Sequence, residues 1–86
     1  MLSTCGSPEE ADSIALALVE SRAAACVNIL PGMRSVYRWK GAVESASEVL
    51  LLIKTQRRLF AEVEAVIRRT HSYELPEIVA IRIEGG

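Results

Sequence analysis

Few residues in this chain can do chemistry. There is one histidine, His71, and there are two cysteines, Cys5 and Cys26. A lone histidine excludes multi-histidine zinc sites and the H-E-x-x-H arrangement. The cysteines stand 21 positions apart, so they form neither a C-x-x-C pair nor a disulfide scaffold. No G-x-G-x-x-G or G-x-x-x-x-G-K-[ST] run is present to cradle a phosphate, and no nucleophile elbow appears.

His71 follows an amphipathic stretch, in a segment with Tyr73, Glu74 and Glu77. It reads as a metal ligand or pH-sensitive contact, or as a cap whose charged form suits a helix C-terminus. Cys5 ends the first apolar run. Thiolate and imidazole together would suit copper or zinc. The competing reading is a small buried side chain, as for most free cysteines. Cys26 reads as packed and inert. Tyr37 and Trp39 share one strand face, as the wall of a cleft or the centre of a subunit contact. Glu48 and Lys54 border an apolar run. Such charges are usually solvated, but Lys54 could pair with Glu48 or Glu77 at a subunit seam.

Several elements must position these groups. Ser7-Pro8-Glu9-Glu10 is a capping box with proline at the first helical position. Ala11, Ile14, Ala15, Leu18 and Val19 continue it as a helix to about Arg22. Leu2 to Cys5 is a short strand ahead of it. Cys26 to Leu30 is β-rich, Pro31-Gly32 interrupts it, and Ser35 to Lys40 resumes it. A proline there marks an edge strand or a bulge. Lys40-Gly41 reads as a hairpin turn. A long strand follows from about Val43 to Thr55. Its centre, Val49 to Ile53, is apolar at every position and should be covered on both faces. A second helix runs from about Gln56 to Arg69, with Leu59, Phe60, Val63, Val66 and Ile67 as its stripe. The last strand spans about Glu77 to Ile83. This order is βαββαβ, an α+β chain of ferredoxin-like type: an antiparallel sheet with two helices on one face.

The chain has 86 residues and 9.4 kDa, enough for one domain. Folding would bury about 63% of its surface, a thin core. Half the residues are apolar and mean hydropathy is +0.23, more than such a core hides, so an oligomer is expected. Disorder is excluded, because a net charge of −1 does not keep so apolar a chain unfolded. Ten basic against eleven acidic residues, with no basic block, argue against nucleic-acid binding. No run approaches membrane-spanning length and no signal peptide is visible, so a cytoplasmic protein is expected.

The segments Arg22-Ala23-Ala24-Ala25-Cys26-Val27-Asn28-Ile29, Pro31-Gly32, Ser35-Val36-Tyr37-Arg38-Trp39-Lys40-Gly41, Glu48, Ile53-Lys54-Thr55 and His71-Ser72-Tyr73-Glu74-Leu75-Pro76-Glu77-Ile78 resemble the CutA family, the divalent-cation tolerance proteins. The likeness runs nearly end to end and in order. It implies a homotrimer in which the second and third strands extend each sheet into the next subunit. It also implies tolerance or binding of divalent metal, Cu(II) among them, with no cofactor required for folding and no catalytic activity. The family cleft at the trimer seam would be lined by Tyr37, Trp39, Lys54, His71, Tyr73 and Glu77. The ligand positions of some bacterial relatives fall on Ser3, Thr70 and His71. Only the histidine is kept, and Cys5, two residues beyond Ser3 on the same strand face, is the substitute. Relative to the family the chain looks clipped at both ends.

Three functions follow as expectations. The first is a cytoplasmic homotrimer that binds a divalent cation through His71 and Cys5, without enzymatic activity. The second is a module like the PII signalling proteins, holding a small ligand or partner at the inter-subunit cleft; its architecture fits, but the long loop of those proteins is reduced here to Lys40-Gly41. The third, an acylphosphatase-like enzyme, is disfavoured because Cys5-Gly6-Ser7-Pro8 carries no arginine.

Overall fold

The computed structural model describes residues 1–70, 78, 79 and 81. The elements run β1 (Leu2–Cys5), α1 (Pro8–Glu20), β2 (Cys26–Trp39), β3 (Ala42–Lys54), a 3₁₀ turn (Arg57–Leu59), α2 (Phe60–Thr70) and β4 (Ile78–Val79). The sheet order is β2-β3-β1-β4, and every neighbouring pair is antiparallel. Two helices and this four-stranded sheet make the ferredoxin-like α+β fold. The expected last strand is described only at Ile78 and Val79; Glu77, Ala80, Arg82 and Ile83 lie outside the described residues.

Helix α1 begins as its sequence dictates. Ser7 Oγ accepts from the Glu10 N–H at 3.2 Å, with Pro8 in the first turn. The return contact differs from the expected box: Glu10 Oε1 accepts from Gly6 N–H at 3.3 Å, one residue earlier than Ser7. The helix ends at Glu20 rather than Arg22. There the chain makes a Schellman turn, with Ala23 N–H donating to Leu18 O at 3.0 Å and Arg22 N–H to Val19 O at 3.1 Å. Arg22 takes the left-handed conformation that this turn requires, φ 63°. Glycine usually fills that position, so the sequence carried no stop signal. Val19, within the last turn, is exposed, and Ala23 just beyond it is buried.

The core lies between the helices and one sheet face. Cys5, Val49, Leu51 and Ile53 meet Ala11, Ile14 and Leu18 of α1 and Val63, Val66 and Ile67 of α2. Only alternate residues of the central run are buried. Leu50 and Leu52 point to the opposite face and remain half-exposed, since no described element of the chain covers that side. Among the described residues the run is covered on the helix side alone.

Strands β2 and β3 form a long hairpin. It closes through Lys40-Gly41, both with positive φ (50° and 81°), the primed-turn geometry of two-residue hairpins. The strand does not break at Pro31-Gly32. It continues through a β-bulge, with the register shifting between Leu30↔Leu50 and Met33↔Glu48. Two residues of β2 thus oppose Val49, and Gly32 sits at φ 79°. Order in the sheet makes β2 an edge strand, where proline is tolerated.

Leu51→Ala should cost about 3 kcal/mol in urea unfolding, as a fully buried leucine at the centre of the core. Arg22→Gly should gain about 1 kcal/mol by relieving the left-handed backbone.

Candidate functional site

The bulge decides which side chains share a face. Directly paired residues of antiparallel strands project to the same side. With Leu30 opposite Leu50 and Met33 opposite Glu48, the residues Met33, Ser35, Tyr37 and Trp39 join Leu50, Leu52, Leu2 and Thr4 on the face away from the helices. Strict alternation from Leu30 would instead put Val36 and Arg38 there. One extra residue therefore aims both aromatic rings at the open face.

That face carries a groove of about 560 Å³. Leu2, Met33, Leu50 and Val79 supply apolar walls, and Thr4, Ser35, Tyr37 and Glu48 supply polar groups. Of these, only Tyr37 was expected to line the cleft; Glu48 was expected as a solvated charge or a partner of Lys54 at a subunit seam. Met33, Ser35 and Thr4 went unnamed because their side of the sheet depends on the bulge and on cross-strand register. The Pro31-Gly32 pair was the signal for it. Beyond the groove the hairpin projects as an arm. Trp39 is 57% exposed with Lys40 Nζ 5.8 Å from its ring centre, and Val36 and Val43 on the other side are 71% and 65% exposed.

Lys54 shares the open face but not the neighbourhood. It pairs with Cys26 at one end of β3, whereas Tyr37 pairs with Glu44 near the other. Ten residues of strand separate those positions, roughly 33 Å. The longest dimension of the chain is 39 Å. One copy therefore cannot bring Tyr37 and Trp39 to Lys54.

Cys5 and Ser3 project to the helix side, as their shared strand face required. Both are buried, and Cys5 is 0% exposed. Cys5 Sγ lies 3.7 Å from Ser7 O and 3.9 Å from Val49 O. Burial pushes its thiol above the ordinary value, and the charges of Glu10 and Glu48 add to the shift against the opposing Ser7 contact. A metal-binding thiolate needs the opposite environment. In this geometry Cys5 matches the small buried side chain that competed with its ligand reading. Thr70 is also engaged, its hydroxyl donating to Val66 O at 2.8 Å. His71, Tyr73 and Glu77 lie outside the described residues. Beyond them Ile78 pairs with Ser3 and Val79 with Leu2, so the described part of β4 runs beside the N-terminal half of β1. Among the described residues no three of His, Cys, Asp and Glu gather to hold a metal ion. Cys26 is half-buried at the start of β2, with its thiol free.

A family profile described as CutA1 divalent ion tolerance protein matches residues 1–86. The chain belongs to the CutA1 family. It is 49% identical over 86 residues to the divalent-cation tolerance protein CutA of Thermus thermophilus, covering 100% of this chain and 84% of that one. It is 46% identical over 83 residues to Protein CutA of Mus musculus, covering 96% of this chain and 47% of that protein. The chain thus spans about half the length of its mammalian relatives. Among solved structures, the Thermus thermophilus protein superposes with a TM-score of 0.94, covering 99% of this chain and 82% of that one at 49% identity. A structure described as the PII-like protein CutA from Nostoc sp. PCC 7120 in apo form gives a TM-score of 0.85 at 40% identity, covering 96% and 78%. Divalent-ion tolerance is what the family profile and the Thermus thermophilus relative are named for, and the names of the relatives carry no enzymatic activity.

The Cys5 environment has a pH signature. Its folded thiol binds its proton more tightly than the unfolded one, so its contribution is complete below the ordinary thiol pKa and is lost as pH rises toward the folded value. Urea titrations should show stability falling on the alkaline side of the ordinary thiol range, and Cys5→Val should flatten that fall. A thiol reagent should label Cys26 well before Cys5 in the native protein.

Proposed function

We propose that this protein is a non-enzymatic homotrimer of the cytoplasm that binds divalent cations, Cu(II) among them, at clefts between its subunits. The observation that carries the reading is the separation of the expected cleft residues. Tyr37 and Trp39 lie on the arm, Lys54 lies at the far end of β3, and no single chain gathers them. A site using all of them needs the arm of one copy against the sheet of another. The uncovered apolar face supports the same arrangement: Leu2, Leu50, Leu52 and Val79 would be wet in a monomer. His71 is the proposed ligand, because an imidazole suits copper better than hard cations. Cys5 could join it only if the thiol left the core and lost its proton. Metal enters this reading as a bound ion and not as part of the core, whose buried cluster is apolar.

A second reading is favoured by one observation, the polar groups of Thr4, Ser35, Tyr37 and Glu48 inside an otherwise apolar groove. Such a lining suits an organic ligand. The protein would then be a PII-like module that holds a small molecule or partner segment at the seam. The short Lys40-Gly41 turn limits that analogy to architecture.

Sedimentation at micromolar protein should give three times the chain mass. Deleting Gly32 should reverse the facing of Tyr37 and Trp39 and yield smaller species; an unchanged trimer would exclude the arm from the seam. Calorimetric titration with Cu(II) should show His71→Ala weakening binding by about tenfold or more, in the range for losing one ligand interaction. Equal affinity in the two proteins would remove His71 from the site.

A further inference from the structure

Cations gather where local rules disfavour them. Arg22 occupies the left-handed position at the end of α1, at φ 63°, where glycine is the unstrained choice. Arg57 and Arg58 stand in the 3₁₀ turn leading into α2, with no acidic residue in that turn. Acids are the residues that favour the start of a helical run. Each departure is unhelpful to the fold taken alone, and departures without structural gain tend to mark function.

Both departures meet at one corner. Thr55 Oγ1 donates to Ala23 O at 2.6 Å, and Ala25 N–H donates to Lys54 O at 3.0 Å. The loop after α1 is thereby stitched to the loop after β3. Arg22 stands one residue before Ala23 and Arg57 two residues after Thr55. Lys54 makes one stitch through its carbonyl and turns its side chain to the open face, away from this corner. Arg22, Arg57 and Arg58 are exposed, and Arg58 Nε donates to Gln56 Oε1 at 2.8 Å. Glu20 is the nearest acid along α1, yet the ion pair found among the described residues is Arg68 with Glu64, on α2. The chain as a whole carries a net charge of −1, so this corner is a local excess of positive charge.

We infer that Arg22, Arg57 and Arg58 form a binding site for a multivalent phosphate-type anion. Guanidinium groups recognise such oxyanions through paired N–H donors, and the two hydrogen-bonded loops fix the backbone that carries them. The site needs neither the divalent cation nor the seam proposed above. Failure of either proposal leaves the other standing.

Inorganic tripolyphosphate is the probe, titrated calorimetrically at low ionic strength. Binding should weaken as salt is raised, and monophosphate should bind less tightly. Arg57→Gln with Arg58→Gln should lose about tenfold in affinity, the scale of losing charge-assisted hydrogen bonds. Arg22→Gly should also bind more weakly while melting at a higher temperature, so its loss cannot be assigned to misfolding. Arg68→Gln, which removes the same charge elsewhere, should leave affinity unchanged. Absence of binding at low salt would overturn the assignment. So would equal affinity in the Arg22 and Arg57/Arg58 variants, or an equal loss in Arg68→Gln.

Discussion

The inserted residue at Pro31-Gly32 governs the functional half of this molecule. A strand alternates its side chains with period two, so one added residue exchanges the faces of everything beyond it. Here it sets Tyr37 and Trp39 beside Leu50 and Thr4 rather than on the helix side. The contribution of Met33, Ser35 and Tyr37 to the groove and the facing of the aromatic arm both follow from that exchange. The edge position of β2 makes it tolerable, since the missing proline donor falls where no inner neighbour needs it throughout. The open turn geometry of Gly32, which has nothing within 4 Å of where a Cβ would sit, shows a backbone requirement rather than a packing one.

The element order was legible because each helix and strand announced itself chemically. Ser7 and Glu10 marked the start of α1, Pro8 fitted its first turn, and Val63, Val66 and Ile67 kept helical spacing through α2. The end of α1 was not legible. Arg22 does what glycine normally does, so a residue-type signal was missing and only hydrogen bonds from Ala23 and Arg22 reveal the turn. The fully apolar Val49 to Ile53 run was read as doubly covered. Composition records that such a run avoids water but not whether its own chain or another supplies the cover.

The site was legible in its residue types and less so in its geometry. Tyr37 and Trp39 were grouped correctly on one face. Lys54 was grouped with them through family resemblance as part of a cleft between subunits, and within one chain the long hairpin places it at the far end of the neighbouring strand β3. Cys5 illustrates a different limit. Its strand position was right, but the side facing Ser3 is the helix side, where Ile14 and Leu18 exclude water. A sequence carries the alternation; which of the two sides receives the helices is a property of packing.

Strand β2 also forms one rim of the sheet over fourteen residues. The outward amides and carbonyls of a rim bond to any strand of suitable twist, since main-chain pairing is blind to side chains. Discrimination between like and unlike companions must then come from what projects beside that rim, above all Tyr37 and Trp39.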